Sequence, residues 1–357
     1  MKKNPNPNNT WWKIAVPILI GLGVVGWMFW SEASAEVFSN FAFDFTTALF
    51  ILLAFAFMAG RDLGYIIRIR LFARGDLSWR QAFRVIMLWE FTSAITPSTI
   101  GGTSVAVVFV HKEGLSVGKS ATMVMLTAFF DELFFAICFP LVIFLVGFGR
   151  LFAFEGATGL MWVIMAGYAI KLLLTMVLAY GLFINPRGLR WVIIKLFSLP
   201  LLRRWKEGAR RSGNDIVVSS RQIKHYRWDF WFKAFGATAL SWSSRFMVAN
   251  ALFLAFFSVS DHLLVFARQL CMWVPMIISP TPGGSGFAEY IFQNFLGDVI
   301  AVSPETMAGT VAMIALLWRG VTYYPYLFIG ALIIPTWLST SFRKTKSPTP
   351  IIPPQRG

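Results

Sequence analysis

Six stretches of this chain are apolar over lengths that match the hydrocarbon thickness of a bilayer: 14–30, 43–60, 120–147, 159–183, 234–257 and 306–338. A helix rises about 1.5 Å per residue, so about 20 residues cross ~30 Å of hydrocarbon. Every backbone N–H and C=O at that depth must find a partner inside the protein, and a continuous apolar run of this length does so as a helix. Only 14% of the 357 residues are charged, against ~25% in an ordinary soluble domain. The expected fold is all-α, a polytopic membrane bundle with about six full spans. The first stretch lacks a small-residue cleavage site and reads as a retained helix rather than a signal peptide.

The net charge of +15 would suggest nucleic-acid binding in a soluble protein. Here the bases collect in alternate connecting segments, as the positive-inside rule requires, and no nucleic-acid partner is expected. Lys2, Lys3 and Lys13 place the N-terminus in the cytoplasm. Glu32 and Glu36 place the next loop outside. Arg61, Arg68, Arg70, Arg74, Arg80 and Arg84 place the segment after the second span inside. Segment 148–158, with Arg150 and Glu155, reads as outside. The twelve Lys and Arg residues of 184–233 make it a basic cytoplasmic loop. An amphipathic helix near Leu189–Trp205 within it suits anionic lipid headgroups, the alternative being a loop that only sets topology. Asp261, Asp298 and Glu305 mark outside segments, and Arg343, Lys344, Lys346 and Arg356 return the C-terminus to the cytoplasm. Residues 1–342 are expected to form one transmembrane domain and 343–357 a Pro-rich disordered tail.

This alternation leaves two apolar stretches unaccounted for. Residues 85–110 begin and end beside inside segments, and 263–297 begin and end beside outside ones. Each is broken midway, the first at Thr96-Pro97-Ser98-Thr99-Ile100-Gly101-Gly102-Thr103-Ser104, the second at Ser279-Pro280-Thr281-Pro282-Gly283-Gly284-Ser285-Gly286. Proline cannot continue a helix and glycine permits a tight reversal. Two re-entrant hairpins of opposite direction satisfy the count, and such a pair is the signature of an inverted repeat. The stretch 306–338 is too long for an upright span and is expected to tilt or kink, with Pro325 as the kink site.

Ionisable groups at membrane depth are costly, which makes them candidates for function. Asp131, Glu132, Arg245 and Arg319 fall deep in their spans; Glu90 and Glu289 lie beside the breaks. They read either as structural ion pairs or as a binding network. A half-helix is expected to begin after Gly101-Gly102 and another after Gly283-Gly284, each offering free N–H groups to an anion. Thr103, Ser104 and Ser285 add hydroxyl donors at the tips. Glu289 reads alternatively as the cap of its own half-helix. Cys138 and Cys271 sit in apolar stretches and read as inert thiols. His111, His225 and His262 lack ligand spacing, so neither metal nor cofactor is expected. No nucleophile–base set, P-loop or dinucleotide fingerprint occurs, and no enzymatic activity is expected.

Three motifs at these positions resemble one family. They are Thr96-Pro97 with Gly101-Gly102 followed by His111-Lys112-Glu113-Gly114-Leu115-Ser116; Pro280-Thr281-Pro282-Gly283-Gly284-Ser285-Gly286 with Ala288-Glu289; and Leu317-Trp318-Arg319 with Thr322-Tyr323-Tyr324. They resemble the lysylphosphatidylglycerol synthase transmembrane, or flippase-like, domain of bacterial membrane proteins, over roughly 12–340. The resemblance implies a stand-alone member without the cytosolic synthase domain, so synthase activity is not carried over. It implies translocation of a phospholipid or lipid-linked substrate across the bacterial inner membrane. It assigns binding to Thr96, Pro97, Gly101, Gly102, Pro282, Gly283, Gly284, Gly286, Glu289, Arg319 and Tyr323. The other reading is a membrane scaffold for a lipid-modifying or glycosyl-transferring enzyme.

Overall fold

The computed structural model describes residues 35–343, apart from 97–98, 155–156, 197, 199–205, 224–225, 280, 282, 285 and 301. Among these residues there is no strand. The longer helices are α1 (Phe45–Ala73), α2 (Trp79–Ile95), α3 (Thr99–Lys112), α4 (Val117–Val146), α5 (Ala157–Ala179), α6 (Pro186–Leu196), α7 (Lys206–Ile223), α8 (Trp228–Phe256), α9 (His262–Met272), α10 (Phe287–Leu296), α11 (Pro304–Thr322) and α12 (Tyr324–Arg343). Four are long and apolar enough to cross a membrane: α1, α4, α8, and α5 with the π-helical turn that extends it to Ile184. The chain is an all-α membrane protein. The expected span 14–30 and the tail from 344 lie outside the described residues.

Two expectations about the spans need correction. The stretch 306–338 is two helices, interrupted at Tyr323. Pro325 has no N–H for the Val321 carbonyl, and its ring disfavours a helical conformation at Tyr324, so the break falls just before it. The second span does not stop at 60. It continues to Ala73, and Arg61 and Arg68, read as loop bases, lie on α1 with 1% exposure each. The helix ends where Arg74 and Gly75 adopt left-handed backbone.

α1 packs most extensively on α8. Small residues let the two backbones approach, as at close helix crossings in membranes. A methyl group added at Gly64 would lie 2.3 Å from Ser241 Oγ and 2.6 Å from the Ala237 carbonyl. At this crossing Ser241 Oγ donates to the Arg61 carbonyl at 2.9 Å. α4 and α5 are fastened at a proline. Pro140 frees the Ala136 carbonyl, four residues back, and Tyr168 of α5 donates its hydroxyl to it at 3.1 Å. The Tyr168 ring stacks on Phe139.

α2 pairs with α3, and α9 with α10, as two helical hairpins. Their open ends lie at opposite ends of α4, which is 30 residues or ~45 Å long. At the start of α4, Lys119 pairs with Asp76, and Arg84 holds Glu113 through two hydrogen bonds of 2.6 and 2.7 Å. Past its other end Arg150 pairs with Asp261 at 2.6 Å, and Arg268 of α9 pairs with Asp298. The expected basic loop 184–233 contains α6 and α7, which pack on each other, with α7 also against α4. The amphipathic helix starts at Pro186, three residues earlier than expected, and is described as far as Leu196; the expected remainder at 197 and 199–205 lies outside the described residues.

Asp261 caps α9, its Oδ1 accepting from the Leu264 N–H at 2.9 Å. That amide, followed by the Arg150 guanidinium, holds its carboxyl below the usual carboxylate range. Its contribution is therefore present above the ordinary carboxylate pKa and lost as pH falls through the depressed one. Asp261→Ala is expected to destabilise the protein in detergent by about 1 kcal/mol at pH 7, and thermal melts at successively lower pH should bring the two proteins together.

Candidate functional site

A cavity of about 500 Å³ lies at the centre of the bundle. Its wall combines α1, α2, α4, α5, α8 and α11 with both hairpin tips. Five cations line it (Arg61, Arg68, Lys171, Arg245 and Arg319), against three carboxylates, Glu90, Asp131 and Glu132. Each cation also lies over an aromatic face. Arg61 sits between Tyr65 and Tyr326, Arg68 over Tyr65, Lys171 over Phe135, Arg245 over Trp242 and Trp273, and Arg319 over Tyr323. Ring quadrupoles attract cations, so each of the five has an aromatic contact besides its carboxylate.

The ion pairs differ in how completely they neutralise each cation. Arg68 clamps Asp131 with two contacts of 2.6 and 3.1 Å, and Trp242 Nε1 donates to the same carboxylate at 2.8 Å. Arg61 reaches Glu90 at 2.5 Å and Asp62 at 2.8 Å, while Tyr326 donates its hydroxyl to both Asp62 oxygens at 2.9 Å. Lys171 holds Glu132 at 2.9 and 3.1 Å. Arg245 is different. Its nearest carboxylate is Glu90, 3.8 Å away and already engaged by Arg61. Its buried Nε has no hydrogen-bond partner among the described residues. Arg245 is the least compensated of these charges.

The two hairpin tips meet in the cavity wall. The Gly283 N–H donates to the Thr96 carbonyl at 3.4 Å, and the Tyr323 hydroxyl donates to the Ala94 carbonyl at 3.0 Å. Arg319 Nη2 donates to the Gly283 carbonyl at 2.9 Å, and its Nε pairs with Glu289 Oε1 at 2.9 Å. The other Glu289 oxygen accepts from the Gly286 N–H at 2.7 Å and caps α10. Glu289 is fully buried. Both readings of Glu289, cap and ion pair, therefore describe the same side chain. The N-terminus of α10, where free N–H groups are expected to receive a ligand anion, holds this carboxylate instead. Gly283 must be glycine: its φ is +58°, and a methyl group there would lie 2.3 Å from the Tyr323 ring.

Other expected site residues fall differently. Thr96, Thr103, Gly283, Gly284, Arg319 and Tyr323 line the cavity, as do Glu90, Asp131, Glu132 and Arg245. Gly101 and Gly102 do not precede a half-helix: α3 begins at Thr99, two residues earlier, so they lie in its first turn. A methyl at Gly102 would meet Ser93 Oγ at 1.9 Å, so this glycine serves the contact between α2 and α3. Gly286 caps α10 and lies outside the cavity wall. Ser104 falls within α3, and its side chain, like Pro97, Pro282 and Ser285, lies outside what the structure describes. Among the described residues no cluster of His, Cys, Asp and Glu suited to a metal occurs. The sequence reading missed Arg61, Asp62, Tyr65, Arg68, Lys171, Trp242, Trp273 and Tyr326.

The sequence profile described as "Lysylphosphatidylglycerol synthase TM region" matches residues 14–330. The chain belongs to this family. A relative named "UPF0104 membrane protein", from Archaeoglobus fulgidus, is 24% identical over 304 residues, covering 80% of this chain and 86% of its own length. No solved structure matches the chain. The family and the apolar helices make this a membrane protein with a lipid-related role. Because the profile spans both hairpins and α11, the tip-to-tip contacts lie within the family's own region.

Proposed function

We propose that this protein moves a lipid across the cytoplasmic membrane, carrying its headgroup through the central cavity while the acyl chains stay in the bilayer. One observation carries the reading: a bundle-centred cavity lined by five cations, four of them held by carboxylates at 2.5–2.9 Å, while Arg245 has only Glu90, 3.8 Å away and shared with Arg61. Arg245 is therefore the cation most open to an anionic headgroup. The volume, about 500 Å³, is in the ordinary range for a small-molecule site. α2 and α3 are ~26 and ~21 Å long, short of the ~30 Å hydrocarbon thickness, as re-entrant hairpins would be. The opposite placement of the hairpins' open ends along α4 favours an inverted repeat, and the basic segments favour cytoplasmic termini. No catalytic chemistry is needed from the polar centre. The protein acts as a conduit and not as an enzyme.

Arg245→Ala tests the reading. In proteoliposomes the native protein should speed the loss of protected, inward-facing labelled phospholipid headgroups. A charge-assisted contact contributes about 1.5–3 kcal/mol, so the variant should be slower by about 10-fold or more, with Arg245→Lys between the two. Undiminished transfer by Arg245→Ala would remove Arg245 from the site. Failure of the native protein to move any phospholipid would end the proposal itself.

A further inference from the structure

α5 is the least buried of the long helices. Its outward residues are apolar, as lipid contact demands: Ile170 is 63% exposed, Leu173 58% and Leu174 42%. Lys171 stands among them and turns inward, 6% exposed. The residues on either side of this lysine's turn, Ile170 and Leu174, are also part of the cavity wall. The same two side chains thus face the surrounding lipid and the charged interior. One turn earlier α5 is closed against the segment after α9, where a methyl at Gly167 would lie 2.3 Å from Val274 Cγ1. Ile170 and Leu174 line the cavity and are themselves exposed, so the cavity reaches the surface beside them.

We infer that the cavity opens sideways into the bilayer beside α5, and that the Lys171–Glu132 pair at this mouth is a phosphate-selective admission site for lipids. This rests on the translocation reading. The chemistry is ion exchange. Lys171 Nζ holds the Glu132 carboxylate at 2.9 and 3.1 Å and lies 4.1 Å from the centre of the Phe135 ring. The pair carries no net charge, so it offers no monopole attraction to an uncharged lipid. A lipid phosphate arriving with its counter-cation exchanges ion for ion: phosphate to Lys171, cation to Glu132. Phe135 keeps the ammonium in place during the exchange, because its attraction does not depend on which anion is bound. The acyl chains remain against Ile170 and Leu174. A lipid whose headgroup is a neutral sugar has nothing to exchange and stays outside. Lys171 is thus the specificity-determining residue, and Arg245 lies deeper on the same path.

Two measurements test this. The first uses phosphatidylglycerol carrying a diazirine near its glycerol backbone, with an equivalent diacylglycerol glucoside as the phosphate-free probe. On irradiation, the phospholipid should cross-link to the α5 region around Ile170–Leu174 at least 5-fold more than the glucoside. The fold-safe variant Lys171→Gln/Glu132→Gln removes both charges and strands neither. It should erase that preference. Equal labelling by both probes in the native protein, or a preference that survives in the variant, overturns the inference. The second uses a background of Cys138→Ser and Cys271→Ala. Leu174→Cys and Leu173→Cys are modified with pyrene maleimide in detergent and then reconstituted. Blocking position 174 should slow lipid transfer about 10-fold, whereas blocking 173, which is outside the cavity wall, should not. Equal effects at the two positions rule out a mouth at α5. A native protein that cross-links selectively yet moves no lipid defeats translocation and leaves a binding site. One that moves lipid without selective cross-linking defeats the mouth alone.

Discussion

Glu289→Ala is expected to destabilise the protein by about 3–5 kcal/mol, read as unfolding in SDS-titrated detergent micelles. Two losses combine in one substitution. The Gly286 N–H loses the oxygen that caps α10 at 2.7 Å, and Arg319 keeps its buried charge without the carboxylate 2.9 Å away. Glu289→Gln separates them. The amide oxygen still accepts from Gly286, so only the charge is lost, and the variant should fall between native and alanine. The double variant Glu289→Leu/Arg319→Met removes both charges at similar volume. It should be less destabilised than the sum of its single variants, because no isolated charge remains. Lipid transfer by the double variant then decides what the pair is for. If transfer persists, Arg319 and Glu289 hold the tips together and bind no headgroup. If transfer disappears while stability holds, Arg319 also acts on the substrate. Additive losses in the single and double variants would contradict the coupling read from the geometry.

The reason this pair needs such a test lies in what a sequence makes visible. Proline and glycine runs announce a break in a helix, because their backbone chemistry is local. Both helix breaks, between α2 and α3 and between α9 and α10, are legible for that reason. The meaning of the glycines was less so. Gly283 serves a tight backbone conformation at a tip, while Gly102 serves contact between α2 and α3, and the two are identical as letters. Depth was the larger difficulty. A basic residue at the end of an apolar run reads as a cytoplasmic anchor, so Arg61 and Arg68 were placed in a loop. A local signal did exist. Arg61, Tyr65 and Arg68 recur at helical spacing, and Gly60 and Gly64 form a small-residue pair suited to close helix packing. An anchor segment has no need of either pattern. Lys171 was hidden for the opposite reason: a single lysine inside an apolar run looks incidental until its partner Glu132 is seen on α4. The acids were easier, since Asp131, Glu132 and Glu90 stand out against an apolar background.

Arg61 therefore carries the last prediction. Arg61→Leu should destabilise the protein by about 3–5 kcal/mol, since Glu90 and Asp62 lose contacts of 2.5 and 2.8 Å inside the bundle. The effect on transfer should exceed what stability alone explains. Glu90 is the nearest carboxylate to Arg245, at 3.8 Å, and is held off by its shorter contact with Arg61. Without Arg61, Glu90 is free to close on Arg245 and neutralise the one cation left open to a headgroup. Adding Glu90→Gln to Arg61→Leu removes that competitor, and the double variant should recover transfer relative to Arg61→Leu. Arg61→Lys should not substitute fully, because a single ammonium cannot span Asp62 and Glu90 as a planar fork while lying between Tyr65 and Tyr326. Transfer rates and melting temperatures measured on the same preparations keep the two effects apart. A double variant as slow as Arg61→Leu at equal stability would show that Arg61 contributes directly and not by restraining Glu90. The geometry favours restraint, because both ion pairs of Arg61 are made to carboxylates and the Tyr65 and Tyr326 ring centres lie 4.9 and 5.0 Å from its guanidinium carbon.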